Sequence, residues 1–507
     1  MDIRVYDLGG GQEAYLHALL RSFYPNAQVR ITAEAQSAEP SDDALVFCVR
    51  REESGLLHFT EQKGGFLAEG RIRGESEKER EESFKNFLYT SLCSLTRKEL
   101  PWGSLMGVRP TRIAEKRMEE LLETAPLPDG KDGEAVIDER MREEITSIYR
   151  NKYYVNERKA KLAVDIAARE LSVIRKIRHE KSFSLYVGVP FCPTRCLYCS
   201  FPSNPIGGCR NLVEPCLQAI IRDIRQTAGI MNGRSPDSIY IGGGTPTSLE
   251  ADQLRELMEA ITDSFDMSGV MEYTVEAGRA DSIDEDKLKV IRECGAGRIS
   301  VNPQSMNEDT LRLIGRKGSP EQVRRTFYLA RDMSFSHINM DLILGLPGED
   351  TEAVRRTLEE VMDLAPDSMT VHSLAVKRGS DLHRNMIEQN ISMGWDTRDA
   401  MELAYEAADR MGLVPYYLYR QKNMTGNLEN VGFAKEDSLG IYNMLVMEEV
   451  QSVAACGPGA ISKRVEPASA GRQRTITRCE NVREISAYIE RIDEMIGRKK
   501  KLFCENH

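Results

Sequence analysis

At 507 residues, 41% hydrophobic and 29% charged, with a formal net charge of −11, the chain has the make-up of a soluble globular protein too long for one ordinary domain. Its acidic balance argues against bulk nucleic-acid binding, and no apolar run reaches the ~18 residues of a membrane-spanning helix. The opening MDIRVYDLGGGQE has no signal-peptide core, so a cytoplasmic location is expected, with no membrane or nucleic-acid partner and a monomeric chain. In a reducing compartment its eleven cysteines, an odd number, are free thiols or metal ligands rather than a disulfide framework.

Residues 1–178 read as an α+β accessory region. MDIRVYDL, DALVFCVR and LLHFTEQ have the composition of strands, and ESFKNFLYTSLCSLTRKEL that of a helix. PWGSLMGVRPTRI follows as an ordered loop, and TAPLPDGKDGE is a surface linker rich in Pro, Gly and Asp. From Asn156 to Ile177 the spacing of Leu162, Ile166, Leu171 and Ile174 predicts a helix with one apolar face. No metal spacing or catalytic grouping occurs here.

From residue 183 the pattern becomes a regular alternation. SLYVGV precedes a helix over 211–230, SIYIGG one over 251–265, and MEYTVEA one over 284–294. RISVNPQ precedes a helix over 319–334 and HINMDLILG one over 350–364; SMTVHSL begins the sixth unit. Successive β-then-α units demand right-handed crossovers and a parallel sheet. Six of them predict an α/β fold with a partial, open (β/α)6 barrel over 181–380, short of the closed eight. The segment 381–507 then reads as a largely helical domain covering the barrel, with EISAYIERIDEMIGRKKKLF a helix with apolar residues at helical spacing, whose basic cluster, Arg498 to Lys501, is solvated or complements the helix C-terminus.

Active sites of such sheets lie at the C-terminal strand ends, and there the sequence places its unusual residues. YVGVPFCPTRCLYCSF follows the first strand with Cys192, Cys196 and Cys199 in the spacing C-x3-C-x2-C. Thiolates are soft ligands for zinc or iron–sulfur clusters. Three of them on a four-iron cubane leave one iron open for an amine and carboxylate. Zinc in a structural site takes four ligands, and Cys209 is the available fourth. Gly242-Gly243-Gly244-Thr245-Pro246-Thr247 ends the second strand and lacks both the P-loop ending and the G-x-G-x-x-G turn; it is either a tight βα turn or a place where backbone approaches a ligand. Glu276, Gln304 and Asp341 end the third, fourth and fifth strands. The buried carboxylates need a partner there, either a ligand amine or ribose or a neighbouring cation.

The cysteine loop, GGGTPT, the EAG turn, RISVNPQS and INMDLILGLPGE together resemble the radical S-adenosylmethionine enzymes, in order and spacing over about 183–465. Within them the chain is similar to the oxygen-independent coproporphyrinogen III oxidase group, in a branch with an extra N-terminal region. The resemblance implies a [4Fe-4S] cluster on Cys192, Cys196 and Cys199, with S-adenosylmethionine on its open iron. Tyr186 and Tyr198 would flank that cofactor, Gly243, Gly244 and Thr245 would contact its methionine part, and Glu276 would lie beside them. Gln304, Arg316 and Asp341 fall where relatives bind a further S-adenosylmethionine, and Ala375 and Ile461 where backbone contacts are made.

The implied activity is oxidative decarboxylation of coproporphyrinogen III to protoporphyrinogen IX in haem biosynthesis, with electrons from a donor such as flavodoxin or ferredoxin. A tetra-anionic tetrapyrrole calls for local cations, and Lys377-Arg378 and Arg420-Gln421-Lys422 are candidates, Arg378, Arg420 and Lys422 foremost. Two departures bear on the substrate. Phe201 stands where decarboxylating members carry a fourth cysteine, and Gly318 where many relatives have His. Branches without that cysteine include a haem-trafficking chaperone and a haem-degrading enzyme, so haem delivery and another radical reaction on a tetrapyrrole or RNA base stand as alternatives.

Overall fold

The structure is a computed structural model of the whole chain. It describes residues 2–7, 12–25, 27–32, 45–61, 65–107, 109–124, 137–178, 181–201, 203–377, 379–382, 384–385, 397–421, 428–466 and 474–504. The chain divides into two compact units. One holds Met1–Ala168, Ser392–Arg398 and Tyr419–Glu429; the other holds Arg169–Ile391, Asp399–Leu418 and Asn430–His507. The three consecutive segments expected from sequence are therefore not the division that the contacts follow.

The first unit carries strands β1 (Asp2–Asp7), β2 (Gln28–Thr32), β3 (Leu45–Arg51), β4 (Leu56–Glu61) and β5 (Phe66–Arg71) in one sheet, in the order β2-β1-β3-β4-β5. β1 runs parallel to both neighbours, while β3, β4 and β5 form antiparallel pairs. Ile3, Val5, Phe47 and Phe59 are fully buried together with Leu19 and Leu88 from the helices Glu13–Phe23 and Glu77–Thr96. The second of these helices begins in a capping box between Ser76 and Glu79, which satisfies donors otherwise orphaned at a helix start. Strands β2 and β5 carry no expectation from the sequence, because their alternation of exposed and half-buried positions lacks a run of apolar residues.

The second unit is built on β6 (Ser182–Val189), β9 (Ser235–Gly243), β10 (Glu272–Val275), β11 (Arg298–Ser300), β12 (His337–Leu344) and β13 (Ser368–Ser373), numbered to leave room for the short strands β7 (Phe191–Cys192) and β8 (Asn204–Pro205). All six pair in parallel with their neighbours, in the order β13-β12-β11-β10-β9-β6. This is the six-stranded partial barrel. Its helices Arg210–Ile230, Ala251–Ser264, Glu285–Glu293, Pro320–Asp332 and Thr351–Leu364 lie within a residue or two of the expected spans. Asp284, Ser319 and Asp350 accept backbone N–H bonds at the starts of the last three, which is why those ends are sharp. Among the described residues no helix is long and apolar enough to cross a membrane.

The segment after residue 381 departs from the expected helical cover. It continues the barrel sheet at both edges, with β14 (Val414–Tyr419) and β15 (Asn430–Ala434) beside β13, and β16 (Val453–Cys456), β17 (Ile461–Glu466) and β18 (Thr475–Glu480) beside β6. β15 runs antiparallel to β13, and β16 parallel to β6. VGFA and VAAC are short, small and buried throughout, so neither period nor bulk marks them as strands in the sequence. The terminal helix Ile492–Cys504 does form, yet its Lys499 is fully buried rather than solvated. Its Nζ donates to Asp223 Oδ1 at 2.6 Å, to Thr227 Oγ1 at 2.8 Å and to Cys456 Sγ at 3.4 Å.

Candidate functional site: a cysteine loop at the barrel mouth

The barrel strands are buried on both faces, as parallel strands covered by helices must be. Four of them carry a half-buried polar or aromatic side chain in their C-terminal half, Tyr186 in β6, Tyr240 in β9, Asp341 in β12 and His372 in β13, and Glu276 directly follows β10. They fall into two groups, Tyr186–Tyr240–Glu276 and Asp341–His372, with Asp341 acting electrostatically on Glu276. The Tyr186 and Tyr240 rings stack with centroids 6.3 Å apart, and Tyr442 stacks on Tyr240 at 4.6 Å. Tyr240 Oη donates to Glu276 Oε2 at 3.2 Å. His372 Nε2 lies 3.9 Å from Asp341 Oδ2, and Asn339 Nδ2 donates to Asp341 Oδ1 at 2.7 Å.

The two carboxylates are held in opposite states. Burial, with Asp341 adding to it, pushes the Glu276 pKa up to about 7. Burial works the same way on Asp341, but the neighbouring His372 and the bond from Asn339 outweigh it and keep that carboxyl below the usual range. Among the described residues neither lies within ion-pair distance of a Lys or Arg, Arg316 acting on Glu276 only at longer range.

The cysteine loop sits beside this row. Thr245 Oγ1 donates to Cys192 Sγ at 3.3 Å, Arg279 Nη1 lies 3.8 Å from Cys196 Sγ, and Cys199 Sγ is 4.0 Å from Ser203 Oγ. Arg279 is buried, with Nη2 on Asp281 Oδ2 at 2.6 Å and Nη1 on Thr194 Oγ1 at 2.8 Å. Arg316 interacts electrostatically with Cys196 and Tyr198 and donates to the carbonyl of Asn302, whose own Oδ1 accepts from the Asp341 amide at 3.2 Å. Burial raises the pKa of Tyr198 and that of Cys192, the latter to about 11. Ligation by metal would be needed to hold such thiols as thiolates at neutral pH.

Gly243 and Gly244 have a structural reason of their own. Gly243 has φ of 103°, and a Cβ on Gly244 would come within 2.4 Å of the Phe191 carbonyl oxygen. The amides of Gly244 and Thr245 donate at 2.7 Å to the carbonyls of Val189 and Phe191. The glycine run therefore clamps the cysteine loop to β9, and those two amides already have protein partners.

The donor set fits an iron–sulfur cluster. Among the described residues the three cysteine sulfurs do not gather within 4.8 Å of one another, whereas one zinc with Zn–S of ~2.3 Å would hold its sulfurs ~3.8 Å apart. Cys209, the fourth ligand a zinc site would call on, donates to Pro205 O at 3.3 Å. The cations Arg279 and Arg316 suit a cluster with thiolate ligands. Two buried polar atoms are also left without a protein partner, Gln304 Oε1 and Arg316 Nε. Gln304 is held at φ 69°, bridged to Leu342 of β12. An unpaired buried acceptor and donor in one site are satisfied by a polar ligand.

Ala375 is half-buried just after β13, and Ile461 opens β17. Arg420 belongs to the first unit, where its buried guanidinium donates to Leu105 O at 2.6 Å and lies 5.7 Å from the Trp102 ring; burial lowers its pKa to about 10. It is thus not an open anion-binding side chain. Arg378 and Lys422 lie outside the described residues. Phe201 is 62% exposed with Lys377 Nζ 5.5 Å from its ring. Sequence reasoning passed over Arg279, Tyr240, Tyr442 and His372. Arg279 directly follows the EAG turn and Tyr240 shares a strand face with Gly242, so those two had a local signal; Tyr442 and His372 had none.

Residues 186–361 match the Radical SAM superfamily. The chain is similar to "Oxygen-independent coproporphyrinogen-III oxidase-like protein HemZ" of Bacillus subtilis (strain 168), 33% identical over 501 residues, 96% of this chain and 94% of that one. It is also similar to "Heme chaperone HemW" of the same organism, 35% identical over 202 residues, 38% of this chain and 51% of that one. Among solved structures, coproporphyrinogen III oxidase (HemN) from Escherichia coli, titled a radical SAM enzyme, superposes with a TM-score of 0.50 at 23% identity, over 64% of this chain and 72% of that one. At that identity the likeness concerns the fold alone.

Proposed function

The chain belongs to the radical SAM superfamily, in its oxygen-independent coproporphyrinogen oxidase-like family, and on that premise we propose that it decarboxylates a tetrapyrrole propionate, coproporphyrinogen III being the substrate that fits best. The family implies a [4Fe-4S] cluster and S-adenosylmethionine; bound here, they would supply a 5′-deoxyadenosyl radical that removes a hydrogen atom from the propionate β-carbon. Loss of carbon dioxide and of one electron to an acceptor leaves the vinyl group. In this reading Cys192, Cys196 and Cys199 hold the cluster and Thr245, Arg279 and Arg316 fix the loop. Tyr186 and Tyr198 flank the cofactor. Glu276 lies beside its methionine part, and Gln304, Arg316 and Asp341 meet the amine, carboxylate and ribose groups of a further S-adenosylmethionine. The cluster's electron comes from a donor protein such as a flavodoxin or ferredoxin, and the reaction runs in the cytoplasm.

The observation that carries the proposal is the pairing of a three-thiol loop with two unsatisfied buried polar atoms, Gln304 Oε1 and Arg316 Nε, in the same mouth. A cluster with a polar ligand beside it accounts for both features together. One observation favours another reading, haem binding and delivery: Phe201, exposed beside the loop, stands where decarboxylating relatives carry a cysteine. The test is anaerobic incubation of the reconstituted chain with coproporphyrinogen III, S-adenosylmethionine and a reductant. Protoporphyrinogen and carbon dioxide are the expected products. Tight haem binding with coproporphyrinogen left intact would replace decarboxylation with delivery.

A further inference from the structure

A line of buried polar side chains runs through the barrel wall and ends at Asp341. Arg298 opens β11, His337 and Asn339 lie in β12, and Ser368 opens β13; all four are at least nine-tenths buried. Such groups persist inside a fold only when their bonds are complete, and here the bonds fix their own directions.

Arg298 Nη1 lies 3.3 Å from His337 Nδ1. A guanidinium has donors only, so Nδ1 accepts and carries no proton. Burial, reinforced by Arg298, pushes the His337 pKa down to about 2. The neutral ring therefore holds its proton on Nε2 and donates to Ser368 Oγ at 2.9 Å. Arg298 Nη2 donates to the same oxygen at 3.2 Å. With both lone pairs occupied, the hydroxyl sends its proton to Asn339 Oδ1 at 2.9 Å. That sets the amide orientation, leaving Nδ2 to donate to Asp341 Oδ1 at 2.7 Å. Every donor from the cation to the carboxylate points the same way, and Thr370 Oγ1, 3.4 Å from Asn339 Oδ1, points with them.

We propose that Arg298, His337, Ser368 and Asn339 are positioning residues for Asp341, tying down Oδ1 so that Oδ2 meets an ammonium or ribose hydroxyl of the bound nucleotide in one orientation. The inference deepens the reading above and rests on it, since it takes Asp341 to be a contact of S-adenosylmethionine. It needs no contact between these four residues and the ligand. Their effect on binding passes through Asp341 alone, which separates positioning from general support of the fold.

The test is a double-mutant cycle on the full, cluster-reconstituted chain, read as S-adenosylmethionine bound per chain in anaerobic equilibrium dialysis, with cluster absorbance as the control. Asp341→Asn and Ser368→Ala are each expected to weaken binding about tenfold, the usual scale for loss of a supporting contact. Ser368→Ala should add nothing once Asp341→Asn is present. His337→Gln keeps an acceptor and a donor in place and should bind close to wild type, while His337→Phe should fall with Ser368→Ala. Equal weakening by Ser368→Ala in both backgrounds, or equal binding by the Gln and Phe variants, would each overturn the inference alone; no effect of Asp341→Asn would overturn the inference together with the Asp341 contact it rests on. A wild-type chain that takes up iron and sulfide but binds no S-adenosylmethionine would overturn the reading beneath it as well.

Discussion

Cys196 is the most enclosed of the three loop thiols, 8% exposed and contacted by both Arg279 and Arg316. Its replacement by alanine therefore removes one cluster ligand beside the buried guanidinium of Arg279. Cys196→Ala is expected to abolish the brown iron–sulfur absorbance after reconstitution, whereas Cys209→Ala, whose sulfur bonds only a backbone carbonyl 3.3 Å away, should retain it. Iron and sulfide analysis should give about four of each per wild-type chain. A single zinc that is lost with Cys209 would refute the ligand assignment. The residues most legible in the sequence are those whose chemistry is local: three cysteines in one loop, a glycine run, and a polar residue closing each strand. Arg279 and His372 act through partners 83 and 31 positions away, Cys196 and Asp341. No pattern within a window of the sequence joins such pairs.

At the scale of the element, the terminal helix Ile492–Cys504 shows how a period can be read correctly and a residue wrongly. Ile492, Met495, Lys499 and Leu502 share the buried stripe that helical spacing predicts. Lysine in a basic cluster argues for solvent, yet Lys499 lies on the inward side because Asp223, from the helix Arg210–Ile230, is waiting there. Asp223 Oδ2 accepts from Tyr488 Oη at 2.8 Å, and Tyr488 Oη in turn receives the Gly457 amide at 3.2 Å. Gly457 needs its φ of 105°, since a Cβ would fall 2.2 Å from the Gly188 carbonyl. The helix thus pins the turn before Ile461 against the strand that leads to the cysteines.

Removing one member of a fully buried pair leaves the other charge unsatisfied. Lys499→Met is accordingly expected to cost about 3–5 kcal/mol in denaturant unfolding. The double variant Lys499→Met with Asp223→Leu should be more stable than Lys499→Met alone, because no orphaned carboxylate remains. A double variant less stable than either single change would show that the pair contributes more than it costs to bury. The same tertiary dependence explains why β15 and β16 escaped notice: their place at the barrel edges is set by β13 and β6, not by their own composition.

For the whole molecule, the buried titrating groups set the course of stability with pH. Glu276 and Glu349 are both raised to about 7 chiefly by burial, Glu349 with its Oε1 accepting from Ser305. Between an unfolded value near 4.5 and a folded value near 7, the folded chain binds more protons than the unfolded one. Stability therefore falls as pH rises through that window, by about 1.4 kcal/mol per pH unit for each group. His337, held near 2 by burial and Arg298, works the other way: the unfolded chain takes up its proton below about 6.5, so stability is lost as pH falls through 6.5. From 4.5 to 6.5 two carboxyls oppose His337, joined just below 6.5 by His17, which burial and Arg21 also hold low; over the window as a whole the carboxyls prevail and stability falls with pH. Denaturant midpoints of the chain without added S-adenosylmethionine should therefore decline from pH 4.5 to 7. Replacing both carboxyls, Glu276→Gln with Glu349→Gln, should reverse the sign, so that stability rises with pH up to about 6.5 and then levels. A double variant that still declines would mean that these carboxyls are ionised in the folded barrel. The row Tyr240–Glu276–Asp341 would then be a doubly charged site rather than one that holds a proton ready beside a fixed anion.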